Sequence, residues 1–348
     1  MFLRRQPPSA ILLRGLRSLT TSTAHNEATA SLKRSHLYVP AASDRMLEKS
    51  LTTTSDVIVY DLEDSVPPAE ADKAAARNRL AKFLQRDDLP PRERVAVRVN
   101  DISTPFFVDD IAAIASSKRV GSLVLPKVHA AEDLDVVSQA LTAANRVVSN
   151  SLDLIASIES ARASFNLGEI AGWKAKDTLG GTLTALLFAA EDYCADTSIL
   201  RTPTRRELLQ VYALFNRHCS QSVPVKRHRH GLCQLQGPGI FGGGMSRWAT
   251  AGLHGKGHFT ILFAFRVSQE TAQQAIHPSQ VDVIQSTFVP SSAEIERAAK
   301  IVAQMDREHA ANRGATGLDG EMIDMPMILQ ARKILSIARA ANLEIPEL

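Results

Sequence analysis

The sequence predicts an α/β protein, a (β/α)8 TIM barrel with a C-terminal helical extension, on three observations. Short runs rich in Val, Ile and Leu alternate with amphipathic stretches along most of the chain. Each run is apolar for roughly four to eight residues, as strands buried on both faces are. Ionisable residues then stand at the same end of run after run, the end where such barrels keep their chemistry.

The units follow in order. HLYVP (36–40) leads into RMLEKSL, and DVIVYDLED (56–64) into AEADKAAARNRLAKFL. RVAVRVN (94–100), SLVLPK (122–127) and LDLIASIES (152–160) are each followed by a helical pattern, and LTALLFAAED (183–192) is the sixth run. Ala, Leu, Lys and Glu, strong helix formers, fill the intervening stretches. QAIHPSQVDVIQ (274–285) reads as a late strand, a turn and a helix. Repeated strand–helix units imply parallel strands with right-handed crossovers. Residues 291–311 and 325–342 form two further amphipathic helices, the second after the Gly-rich segment GATGLDGEMIDMP. The expected organisation is a leader over 1–30, the barrel over 31–290 and the extension over 291–348.

Of 348 residues, 45% are hydrophobic and 22% charged, and the formal net charge is +3. Without a basic block interleaved with aromatics, no nucleic-acid partner is expected. The sequence has no apolar run long enough to span a membrane, so no membrane association is expected. Cys194, Cys219 and Cys233 do not make a disulfide framework, which fits a reducing compartment. The first stretch carries Arg4, Arg5, Arg14 and Arg17, is rich in Ser and Thr, and has Glu27 as its first acid. That composition reads as a mitochondrial presequence, giving the mitochondrial matrix as the expected location; the alternative is a disordered tail with no address.

Polar residues at the run ends are costly to bury. They are Asp61, Glu63 and Asp64, then Arg98 and Asn100, Lys127, Glu159, Asp192 and His277. One reading is a set of structural ion pairs closing the barrel mouth. The other is a site. Glu159 and Asp192 end consecutive runs, and adjacent parallel strands lie about 4.8 Å apart. Two carboxylates so placed share one small hard cation, the Mg²⁺ pattern, with water and substrate oxygens completing the shell. Arg98 is a fork of donors suited to a carboxylate or an oxyanion. Lys127, Asp61, Glu63 and Asp64 would orient ligands around it. Such a site suits a 3-hydroxyacyl thioester, whose C–C bond breaks when its hydroxyl is deprotonated and an enolate leaves. An acid must then protonate the enolate carbon. Lys127 as a Schiff-base amine would need a depressed pKa, and His277 before a proline reads as structural.

RSHLYVPAASDRM, VIVYDLEDSV, VAVRVN, LVLPKV, IASIES, LFAAEDYCA, AIHPSQ and GEMIDMP resemble, in this order, the motifs of the citrate lyase β-subunit-like branch of the HpcH/HpaI aldolase superfamily. The ending GEMIDMPMILQARKIL is most similar to its mitochondrial members that cleave citramalyl-CoA. The resemblance implies a Mg²⁺-dependent TIM barrel, usually a homotrimer, that acts on an acyl-CoA such as citramalyl-CoA and yields pyruvate and acetyl-CoA. Related malyl-CoA lyase, thioesterase or malate-synthase-type activity is implied as well. By the same resemblance Glu159 and Asp192 match the metal ligands and Arg98 the substrate-binding arginine. Tyr38, Arg45 and Lys49 match positions that touch substrate and CoA. Asp324 matches the catalytic aspartate, which in relatives enters a neighbouring subunit's site. Read without the resemblance, Asp324 is a turn or helix-cap residue. An alternative is a citrate lyase β subunit that acts on an acyl-carrier-bound thioester.

Residues 219–273 depart from this pattern. They are rich in His, Gly, Arg and Gln, hold Glu270 as their one acid, and lack a sustained helical period. Three readings compete: a frameshifted or intron-derived translation, a lineage insertion that still closes the barrel, and a metal-binding loop using Cys219, His228, His230 and Cys233. The first carries the further alternative that the chain is an inactive barrel scaffold. FTILFAFRV (259–267) is a candidate replacement strand.

Overall fold

The computed structural model describes residues 32–115, 117–145, 152–202, 205–222, 232–235, 271–310, 316–318 and 321–347. The strands are β1 (Ser35–Pro40), β2 (Val57–Asp61), β3 (Val95–Arg98), β4 (Ser122–Leu125), β5 (Asp153–Ile158), β6 (Thr182–Phe188), β7 (Leu232–Leu235) and β8 (Thr271–Ala275). All pair in parallel with their sequence neighbours, and β8 returns to β1. Helices α1 (Asp44–Ser50), α2 (Glu70–Phe83), α3 (Phe107–Ala115) and α4 (Ala131–Asn145) follow β1 to β4. After β5 come α5 (Ala161–Phe165) and α6 (Leu167–Gly172), and after β6 come α7 (Ala190–Thr197) and α8 (Leu209–Ser222). A 3-10 turn (Pro278–Gln280) and α9 (Val281–Thr287) follow β8. Residues 236–270, between β7 and β8 and including 259–267, lie outside those described, as do the leader, His228 and His230. The seventh strand thus comes from LCQL, inside the segment that departs from the pattern. Cys219 lies in α8 and Cys233 in β7.

Alternation along each strand sorts the side chains. Ile58 and Tyr60, Val95 and Val97, Leu123 and Leu125 pack outward against the helices in the main core. Val57, Val59, Ala96, Val124, Ile155, Ala185 and Leu187 form a second buried cluster, with Tyr38 against it. This second set is the lumen-facing row. Two residues further along the same rows stand Asp61, Arg98 and, past Ser157, Glu159. The period of two therefore lifts these groups above an apolar floor, at the C-terminal mouth of the sheet.

The remaining elements are α10 (Ser292–Ala310), an antiparallel pair β9 (Thr316–Leu318) and β10 (Glu321–Ile323), and α11 (Met325–Ala340). They share a separate apolar cluster that includes Ile295, Ile301, Ile328 and Leu335. Met322, Met325 and Leu329 remain 78%, 57% and 60% exposed on its surface. No described helix is long and apolar enough to cross a membrane.

Candidate active site

Asp61 and Arg98 are register partners at the ends of β2 and β3. Arg98 grips Asp61 through both prongs, Nε to Oδ1 and Nη2 to Oδ2, each at 2.7 Å. The third nitrogen, Nη1, lies 2.9 Å from Glu63 Oε2 and 3.2 Å from Asp64 Oδ2. The guanidinium also lies over the Tyr38 ring, 5.1 Å from its centroid. The turn after β2 winds round Asp61: the Glu63 amide donates to Oδ1 at 2.9 Å and the Ser65 amide to Oδ2 at 3.2 Å. Burial pushes the Asp61 carboxyl up, but Arg98, Ser65 and the Glu63 amide outweigh it and hold the carboxyl below its usual range. Burial likewise raises the Tyr38 hydroxyl, so Tyr38 stays neutral.

Lys127 carries a left-handed backbone, φ 51°, a conformation that costs a non-glycine residue about 1–2 kcal/mol and clusters at functional sites. Its amide donates to the Glu159 carboxylate, and its Nζ lies 3.1 Å from Glu63 Oε1. Burial lowers the Lys127 amine, yet Glu63 and the other acids raise it above its ordinary value. That direction is opposite to the one a Schiff-base amine needs.

Glu159 directly follows β5 and is buried. Burial raises its carboxyl; Ser157 and the Lys127 amide offset this in part, while Asp192 adds to the rise. Asp192 does not end its strand as the sequence pattern suggested. β6 stops at Phe188, and Asp192 lies in the first turn of α7. An acid there faces the positive end of the helix dipole, and the sequence run continued only because Ala189 and Ala190 are apolar. Asp192 is open to solvent, and partial burial together with Asp64 raises its carboxyl. Asp192 raises the proton affinity of the buried Glu159 carboxyl, as Asp64 raises that of Asp192; hard oxygen donors crowded in this way are a set that a hard dication relieves, so the residues present fit a Mg²⁺ ion.

Glu63 has two cationic neighbours, yet its carboxyl is pushed up to about 7, because burial and Asp64 prevail over Arg98 and Lys127. A raised folded-state pKa means that the group favours folding below its unfolded value and that this advantage is lost as pH rises through about 7. In EDTA at pH 8, Glu63→Gln is expected to be more stable than wild type by up to about 3 kcal/mol, at ~1.4 kcal/mol per pH unit, and so to melt higher. The gain should fade by about pH 5, and melting curves across that range check it.

Other predicted residues lie apart. Arg45 and Lys49 are exposed, one turn apart on α1, and make no ion pair among the described residues. Asn100 is buried and committed to Asp110, which accepts from both its amide and its side chain. His277 caps the short turn after β8, its Nδ1 accepting from the Ser279 amide at 3.2 Å, a structural role. Asp324 is the N-cap of α11, accepting from the Met327 amide at 3.0 Å, exposed and part of the extension. The pattern-based reading also missed Lys73, buried on α2 beneath the Asp61 turn. Its signal was available: Lys73 shares the buried stripe of Ala76, Leu80 and Phe83 at helical spacing.

The parallel sheet thus carries a carboxylate-rich, arginine-clamped mouth above an apolar floor. Residues 34–223 match the HpcH/HpaI aldolase/citrate lyase family. The chain belongs to that family, and its α/β fold is consistent with the family's barrel. An L-malyl-CoA/beta-methylmalyl-CoA lyase of Rhodobacter capsulatus is 30% identical, over 90% of this chain and 97% of its own. The mitochondrial citramalyl-CoA lyase of Homo sapiens is also 30% identical, over 88% and 85%. Among solved structures, CitE of Mycobacterium tuberculosis in complex with magnesium, acetoacetate and coenzyme A superposes with a TM-score of 0.59. It is 24% identical, over 90% of this chain and 99% of that one.

Proposed function

We propose that this protein is a Mg²⁺-dependent carbon–carbon lyase that cleaves a short 3-hydroxyacyl-CoA, of the citramalyl-CoA type, to pyruvate and acetyl-CoA on a complete (β/α)8 barrel. The observation that supports the reading is the charge of Asp192 acting on the buried Glu159 carboxyl, beside an arginine fork already set by Asp61. Glu159 and Asp192 would hold the ion, which when bound supplies Lewis-acid polarisation of the substrate hydroxyl.

The chain's own residues account for the rest. Arg98 receives the substrate carboxylate. Asp64, with its side chain 68% exposed, is the partner most readily displaced from Nη1. Arg98 and Lys127 place positive charge where the enolate develops. The apolar floor of Val59, Val124 and Leu187 excludes water beneath the reacting carbons. Arg45 and Lys49 face solvent and take the CoA phosphates. Cleavage removes a proton from the hydroxyl and adds one at the enolate carbon, so one carboxyl suffices to move it. Asp324 is that carboxyl, delivered by the 291–348 extension of a neighbouring subunit in a homotrimer. The exposed Met322, Met325 and Leu329 around it supply an apolar surface for that docking.

The test is incubation of purified protein with citramalyl-CoA, with and without Mg²⁺, reading pyruvate and acetyl-CoA directly. Absence of Mg²⁺-dependent cleavage refutes the reading. Cleavage of a carrier-bound thioester alone would favour the citrate lyase β-type reaction. Asp324→Asn keeps an equally good helix cap but removes the acid. It is expected to lower kcat at least about 100-fold with the melting temperature unchanged. Mixed Asp324→Asn and Asp192→Ala protomers should regain activity, which refolded mixtures would show. The leader composition, together with the mitochondrial human relative, supports matrix import, testable by fusing residues 1–30 to a fluorescent reporter.

A further inference from the structure

Lys73 is an ammonium group on α2, only 7% exposed. Among the described residues it forms no ion pair. Its Nζ donates to two main-chain carbonyls, Leu62 O at 2.9 Å and Glu63 O at 2.8 Å, and lies 6.0 Å from the centre of the Phe106 ring. An ammonium withdrawn from water costs several kcal/mol, which the charges of Asp61, Glu63, Asp110 and Asp64 offset only from beyond ion-pair distance. A methionine would fill the same space without that cost, so the two carbonyls are what the charge is kept for.

Both belong to the turn that shapes the site. The Leu62 carbonyl and the Glu63 amide are one planar trans peptide, so they point in opposite directions. Lys73 holds the carbonyl side, and the amide side donates to Asp61 Oδ1 at 2.9 Å. Asp61 in turn receives the two prongs of Arg98. The Glu63 carbonyl, which Lys73 also holds, accepts the Val66 amide at 3.0 Å and closes the turn. A rotation of the Leu62–Glu63 peptide would take the donor from Asp61 and release the arginine from its pose.

We infer that Lys73 is a positioning residue, which orients the Leu62–Glu63 peptide and, through Asp61, sets the Arg98 fork for the substrate carboxylate. The inference rests on the reading of Arg98 as the carboxylate-binding group. The ammonium holds two carbonyls at once from within the barrel wall; a glutamine NH2 also has two N–H donors, but it is uncharged and its nitrogen stands one bond nearer the backbone.

The test compares wild type with Lys73→Met, which keeps the volume, and Lys73→Gln, which keeps one donor group and guards against misfolding of the first. Two measurements are made on the full chain. Amide hydrogen exchange is followed over residues 61–66, and pyruvate and acetyl-CoA affinities are measured by titration in Mg²⁺. Lys73→Met is expected to speed exchange in that turn selectively and to weaken pyruvate binding about 10–100-fold, the range of ligand-orienting contacts. Acetyl-CoA affinity should not change, and Lys73→Gln should fall between. In an Arg98→Lys background Lys73→Met should cause no further loss of pyruvate affinity. Unchanged exchange, equal loss of both ligands, or additive effects with Arg98→Lys would overturn the inference. If wild type binds no pyruvate, the substrate reading fails, and the exchange measurement alone still decides whether Lys73 holds the turn.

Discussion

Asp192→Ala is expected to abolish citramalyl-CoA cleavage, by at least about three orders of magnitude, or ~4 kcal/mol of barrel-mouth stabilisation of the transition state. The fold should survive. Asp192 is exposed in the first turn of α7 and receives no side-chain ion pair among the described residues. Its carboxyl lies above its ordinary pKa, through partial burial and then Asp64. A raised value means that the charged form opposes folding at neutral pH. In EDTA at pH 8 the variant should therefore melt no lower than wild type. Wild type should gain stability on addition of Mg²⁺, because a ligand bound only by the folded state raises the melting temperature. The variant should lose that gain along with turnover. Retained cleavage, or a retained Mg²⁺ shift, would remove Asp192 from the ligand set.

Arg98→Ala should damage both catalysis and stability. Loss of a preorganised charge at the developing oxyanion typically costs about 10²–10³-fold in rate, and loss of the carboxylate fork should raise KM as well. Stability falls for a separate reason. Asp61 is 1% exposed and Glu63 6%, and each loses its closest cation. Removing one partner of a buried pair costs roughly 3–5 kcal/mol. The pH dependence has a definite sign. In wild type the Asp61 carboxyl is held low, so its contribution is present above its unfolded value and lost as pH falls through the lower folded one. Without Arg98, burial is opposed only by Ser65 and the Glu63 amide, and that carboxyl rises. The stability gap between wild type and variant should therefore be widest at neutral pH and narrow on acidification, as urea titrations from pH 7 to pH 4 would show. Arg98→Lys keeps the charge but not the fork. It should recover part of the stability and little of the activity.

Much of this mouth was legible in the sequence because a strand's period of two and the position of its end fix which side chains reach the lumen rim. VIVYDLED and RVAVRVN place Asp61 and Arg98 at the ends of successive strands, and the structure adds that the two are register partners. LDLIASIES likewise places Glu159 at a strand end. The same rule misplaced Asp192: an apolar run does not announce where extended backbone gives way to helix, and Ala189 and Ala190 suit either. Lys73 escaped a reading built on strand ends because it reaches the site from a helix, along a row otherwise apolar. Asp324 shows the converse. Its local pattern is that of a helix cap, and a cap is what it forms.

By itself, the sequence determined the alternation of strands and helices, the polar rim and the family motifs, since each depends on local periodicity and on residue type. Tertiary structure alone decided that LCQL supplies the seventh strand, that Glu63 is buried deeply enough for its carboxyl to rise to about 7 despite two cationic neighbours, and that a lysine from α2 holds the turn beneath Asp61. These depend on which groups distant in the chain exclude water from one another, and desolvation is a property of the packed assembly rather than of any segment.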